Sequence, residues 1–177
     1  MKNKIQDYLL ELDHPESNKK FISVKNIKSI EIEDKKITLL IELNFPFKSQ
    51  ESLYEDIIKD GLKNITNLDI NIKWTVKILT RQVQKGVNSI KGIKNVIAVA
   101  SGKGGVGKSS TAANLALALS LEGANVGMLD ADIYGPSQPK MLGMAQKPSS
   151  KDGKSMDPLI AHNIQMMSIG LLVDQET

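Results

Sequence analysis

Residues 102 to 109 read Gly-Lys-Gly-Gly-Val-Gly-Lys-Ser, and these residue types at this spacing suit one task, the wrapping of a phosphate chain. A backbone that curls around phosphates has no room for Cβ atoms on its inner wall and must visit positive φ angles. Gly102, Gly104, Gly105 and Gly107 supply that freedom. Lys108 would set an ammonium between the β- and γ-phosphates of ATP, and the Ser109 hydroxyl would take a position on Mg²⁺. With Val106 in the loop and Ser110 after it, residues 102–110 form the candidate nucleotide-binding segment. Further on, Asp130-Ala131-Asp132 closes an apolar run. One carboxylate near Mg²⁺ can order its water shell, and one near the γ-phosphate can orient an attacking water. A pair of turn-forming aspartates at a strand end is the alternative.

Such groups work only if the surrounding elements bring them together. The run Asn95-Val-Ile-Ala-Val-Ala100 predicts a strand before the loop, Ser110 to Leu119 a helix after it, and Ala124 to Leu129 a second strand. Strand, helix and strand would make a right-handed βαβ unit, with the carboxylates at the same sheet edge as the phosphate loop. There the loop NH groups and the helix N-terminus converge on one anion. Gly135 and Pro136 predict a tight turn after the second strand; Ser137 can cap a short helix to Met141, which Gly143 ends.

The first 78 residues have a different texture. Ile5, Tyr8, Leu9 and Leu12 recur at helical spacing, so a first helix ends before Pro15. Ile22 to Glu33 and Lys36 to Leu43 are β-rich and joined by the charged turn at Asp34-Lys35, which predicts a hairpin. Leu53 to Leu62 reads as a helix. Leu68, Ile70, Ile72, Trp74 and Val76 then alternate with polar residues, so one face of a last strand is buried, with Trp74 in the core. The order αββαβ predicts a small α+β domain over 1–78. Residues 79–94, polar, basic and punctuated by Gly86 and Gly92, read as a linker, and 95–177 as the P-loop domain.

Composition bounds the partners. The net charge of +3 is the difference between 23 basic and 20 acidic side chains, so no strong field for nucleic acid or an anionic membrane is implied. The start, Met1-Lys-Asn-Lys-Ile-Gln-Asp7, lacks the apolar core of a signal peptide, and no run approaches the ~20 residues that span a bilayer, so the cytoplasm is the expected address. With no cysteine, the chain has no thiolate ligand and no disulfide. His14 and His162 lie far apart in sequence and read as surface or turn residues.

The loop carries a second lysine. Lys103-Gly-Gly-Val-Gly-Lys-Ser109 resembles the deviant Walker A loop of the MinD, ParA and nitrogenase iron-protein class. In that class the extra lysine reaches phosphates bound by a second subunit, so the resemblance implies a catalytic role for Lys103 and a nucleotide-dependent homodimer. By the same similarity Asp132 orients water and Asp130 serves the outer shell of Mg²⁺. The segment Asp130-Ala-Asp-Ile-Tyr-Gly-Pro-Ser-Gln-Pro-Lys-Met-Leu-Gly143 narrows the likeness to the Mrp/ApbC group of iron-sulfur cluster carrier ATPases, and the N-terminal region resembles the SufT-related assembly domain often found ahead of them.

The resemblance implies an α/β architecture: a small α+β domain followed by the first part of a doubly wound parallel P-loop sheet. It also implies ATP hydrolysis and transfer of [4Fe-4S] clusters to apoproteins, in company with iron-sulfur assembly factors. Relatives hold the shared cluster with a Cys-x-x-Cys pair downstream of the loop; no ligand of that kind exists in this chain, nor does a Walker B strand. The expectation is the N-terminal part of a longer carrier. Rival expectations are a MinD- or ParA-type positioning ATPase and a non-enzymatic docking module; docking is also the expected role of the N-terminal domain.

Overall fold

The computed structural model describes residues 1–14, 17, 19–80, 88 and 90–173. Its contacts divide the chain into two units, Met1–Asn95 and Val96–Thr177, and each mixes helices with a small three-stranded sheet of its own. Pro15, most of the expected linker (81–87 and 89) and the last residues (174–177) lie outside the described residues.

In the first unit the elements follow the expected order: α1 (Lys2–Glu11), β1 (Ile27–Glu33), β2 (Lys36–Leu43), α2 (Glu51–Leu62) and β3 (Asp69–Val76). β1 and β2 pair antiparallel, with Glu33 opposite Lys36, so Asp34-Lys35 is the whole connection. Asp34 takes φ 40°, a left-handed conformation that Asp tolerates better than most residues. β1 begins at Ile27 rather than Ile22 because Ser23 and Asn26 close a turn: the Asn26 NH donates to Ser23 O at 2.9 Å, and the Asn26 carboxamide oxygen accepts from the Ser23 NH at 2.9 Å. Such local side-chain bonds compete with strand pairing.

α2 carries the chain from β2 to β3, which pair in parallel from Lys36↔Asp69 to Leu43↔Val76. Alternate residues of β2 (Ile37, Leu39, Ile41, Leu43) and Ile70 and Ile72 of β3 form one core with Ile5, Leu9, Tyr54, Ile58 and Leu62 of the helices. The Phe21 ring stacks on Tyr54 at 3.6 Å, and Trp74 meets Phe47 edge to face at 4.9 Å, so Trp74 packs in the core as its alternation predicts. Val76 departs from that alternation: as the last residue of an edge strand it is exposed.

The second unit contains α3 (Lys108–Leu121), β4 (Val126–Asp130), α4 (Gln138–Met141), β5 (Leu159–Ala161) and β6 (Ile164–Ser168). Its strand order is β4-β6-β5, with β4 and β6 parallel and β5 antiparallel to β6. The β5–β6 hairpin turns on His162-Asn163, both left-handed at φ 52° and 59°, as a two-residue turn matched to strand twist requires. Ala113, Leu142, Met144, Met166 and Leu171 form the core beneath α3.

One expected element is corrected. The apolar run Asn95–Ala100 forms no strand, and Val96 and Ile97 stand 72% and 63% exposed. A strand exists only through a neighbour's NH and CO groups. β4 is paired on one side by β6, and among the described residues no strand lies on its other side. Hydrophobicity marked the segment, but without a pairing partner the βαβ unit reduces to its loop, helix and second strand.

Candidate nucleotide site

α3 starts at Lys108, two residues before the expected Ser110. Gly107 sits in the left-handed region at φ 86° as its N-cap, and the Thr111 NH donates to Gly107 O at 2.9 Å. Gly105 also takes a left-handed φ of 73°. Gly102 and Gly104 do not, so glycine there is required by no backbone strain. A Cβ placed on either would meet nothing within 4 Å, and the room they leave is open space. The first NH groups of α3 have no carbonyl partner within the helix and carry the positive end of its dipole.

Loop and helix start open onto a cleft of about 500 Å³, lined by Gly104, Gly105, Val106, Gly107, Lys108, Ser109, Ser110, Asp132, Gly135, Ser137 and Met141. Among the described residues no ion pair engages the Lys108 or Lys103 ammonium. Gly102 and Lys103 lie outside the lining. Lys103 is exposed and held by a local turn in which its NH donates to Ser101 Oγ at 3.1 Å, while that hydroxyl donates to Lys103 O at 3.2 Å.

The two aspartates, alike in sequence, are placed differently. Asp132 lines the cleft, its Oδ1 accepting from the Gly135 NH at 3.1 Å. Asp130 ends β4 nearly buried behind the wall: Oδ1 accepts from the Asp132 NH, and Oδ2 from the Gln138 NH and the Ser168 hydroxyl, each at 3.2 Å. A carboxylate with three internal donors holds the connection after β4 in shape. Sequence reasoning missed Ser168 and the role of Gln138, whose Nε2 donates to Ser109 O at 3.0 Å. A polar residue between Ser137 and Pro139 was the available signal. The expected Ser137 cap is corrected: Ser137 is the N-cap residue of α4, but its hydroxyl makes no capping bond and is buried without a partner. Gly143 does end the helix, at φ 69°.

These residues fit a nucleotide with its cation, since open glycine walls, unpartnered helix NH groups, an uncommitted ammonium and a cleft-facing carboxylate converge. They do not fit an iron-sulfur cluster. The chain has no cysteine, and among the described residues no three His, Asp or Glu side chains cluster to hold a metal ion. His162 lies in the β5–β6 turn, its carbonyl accepting from Ser120 Oγ at 3.2 Å, while His14 packs at 6.0 Å from the Phe21 ring in the other unit. No helix among the described residues is long and apolar enough to cross a membrane.

Glycine loop, helix start and lysine are the parts with which P-loop proteins grip phosphates, an aspartate beside them serving cation or water, and fold and site together place the second unit in that class. Residues 92–177 match the model of the ParA family described as a NUBPL iron-transfer P-loop NTPase. The chain is 40% identical to the iron-sulfur cluster carrier protein of Haemophilus influenzae over 99% of its own length and 48% of that relative's. It is 50% identical to the protein of that name in Escherichia coli, over 78% of this chain and 39% of the relative. With the Helicobacter pylori iron-sulfur cluster carrier protein it shares 39% identity over 92% of the chain and 45% of the relative. The chain belongs to the Mrp/ApbC family of iron-sulfur carrier P-loop proteins and spans about half the length, or less, of these curated relatives.

Proposed function

We propose that residues 104–110 of the 102–110 segment hold the phosphates of ATP, and that they contribute the nucleotide-dependent part of iron-sulfur cluster transfer to apoproteins. The reading rests on the glycine-walled cleft at the start of α3, whose lining includes Lys108, with no ion pair among the described residues, and Asp132. The loop NH groups bind phosphate oxygens, Lys108 neutralises their charge, the Ser109 hydroxyl offers an oxygen ligand to the cation, and Asp132 orients a water toward the γ-phosphate. Mg²⁺, when bound, supplies charge neutralisation across the phosphates. Lys103, exposed and outside the cleft, is free to reach a nucleotide in a second copy, which supports the homodimer reading. The [4Fe-4S] cluster is cargo in this proposal, and the chain has no cysteine to ligate it. The first unit serves as the iron-sulfur-assembly-like docking domain, and the cytoplasm is the proposed address.

Titration calorimetry with ATP tests the site. Lys108→Ala should weaken binding by about 1.5–3 kcal/mol, the range for a charge-assisted contact, while Lys103→Ala in the dilute monomer should leave affinity unchanged. Equal affinity of Lys108→Ala and wild type would sink the assignment.

A further inference from the structure

Gln138 occupies a place that the phosphate-binding motif does not account for. It is 5% exposed at the first position of α4, and its two NH donors point to different elements. The main-chain NH donates to Asp130 Oδ2 at 3.2 Å, at the end of β4, and the side-chain Nε2 donates to Ser109 O at 3.0 Å, in the first turn of α3. Asp130 and Ser109 are the two groups assigned to the cation side of the site, and this single residue bridges them. Its remaining polar atom, Oε1, is buried with no hydrogen-bond partner, as is the neighbouring Ser137 hydroxyl. Burying a carboxamide with one unmet acceptor is unfavourable compared with an apolar side chain of the same length. Packing alone therefore does not account for glutamine at this position.

We propose that Gln138 is a positioning residue that fixes the Ser109 turn against the Asp130 strand end, so that its carboxamide sets the extra affinity ATP gains from Mg²⁺ rather than the affinity of the phosphate cradle itself. The inference rests on the nucleotide reading above. The cradle NH groups, Lys108 and Ser109 all belong to α3 and its loop and keep their geometry relative to one another without Gln138, whereas their position relative to Asp130 rests on it. Loss of the Nε2 bond leaves the first turn of α3 attached to the loop but releases it from the connection after β4.

The test compares ATP affinity in excess Mg²⁺ and in EDTA for the full 177-residue chain. Gln138→Met keeps length and volume without the donor, and Gln138→Leu removes both polar atoms in a side chain of similar size. Thermal melts establish that each is folded. In at least one folded variant, affinity in EDTA should stay within about twofold of wild type while the gain from Mg²⁺ falls by about two- to tenfold, the worth of one such hydrogen bond. A purely structural role would lower the melting temperature and both affinities together, and that result would overturn the proposal. So would an unchanged Mg²⁺ gain in every folded variant, with the nucleotide reading left standing. A wild-type chain that binds no ATP in either buffer would overturn both.

Discussion

The two units solve the burial of a three-stranded sheet to different degrees. In the first, two helices cover one face, and Ile37, Leu39, Ile41 and Leu43 of the central strand are all fully enclosed. In the second, α3 buries Ala113 and Ala116 but leaves Leu121 largely exposed, and Leu129 on β4 is 74% exposed. The phosphate loop nevertheless takes its shape. A glycine cap and a helix start are local constructions, held by bonds between residues close in sequence, whereas a sheet needs partners from distant segments. The site is thus assembled in the unit with the thinner core, and local geometry at the site does not report on closure of the sheet.

Removing equal side-chain volume from both sheets tests the difference in burial most directly. Ile41→Ala, at a position with no exposure, should cost about 2–5 kcal/mol, read by urea unfolding with the fluorescence of Trp74, the chain's one tryptophan. Leu129→Ala should change stability by no more than about 0.5 kcal/mol, read by circular dichroism. A comparable loss from the two changes would mean that Leu129 is enclosed in solution. A smaller effect is expected at Gly61 in α2, where an added Cβ would run into the Tyr8 hydroxyl, which donates to Ile57 O at 3.0 Å. Gly61→Ala gains about 1 kcal/mol of helix propensity but forces Tyr8 to move, for a net loss of about 1–2 kcal/mol in the unfolding of the first unit. ATP binding should be untouched. A stabilised variant would show that α1 is not held by this contact.

The smallest effect concerns pH and belongs to the second unit. Asp152 accepts from the Ser155 NH at 2.8 Å, the Lys154 NH at 2.9 Å and the Ser155 hydroxyl at 2.7 Å, and these bonds, led by the Ser155 NH, hold its carboxyl well below the usual carboxylate range. A folded value below the unfolded one means that the turn's contribution is fully present above the ordinary carboxylate value, about 3.9, and is lost as pH falls through the depressed folded value. Amide shifts of Lys154 and Ser155 in an acid titration should therefore stay constant through the ordinary range and move only below it. A midpoint at the ordinary value would remove the turn from solution. The first unit offers a matching probe in Glu42, also held low by its bond to Lys28 at 2.9 Å, so the two shifts can be read in one titration.

What the amino-acid sequence determined is what depends on near neighbours. The glycines at 105 and 107, the helix they introduce, the Asp34-Lys35 hairpin and the alternation that buries Ile70 and Ile72 all follow from backbone freedom and side-chain period over a few residues. The tertiary structure alone decided which of two aspartates faces the cleft, because Asp130 is claimed by the Ser168 hydroxyl of β6, 38 positions away, as well as by the NH of Gln138 eight positions on. It also decided that the Asn95–Ala100 run remains unpaired, and that Gln138 reaches back to Ser109 across 29 positions. Pairing and burial are properties of what an element meets, and the identity of that neighbour is not written in the element's own residues.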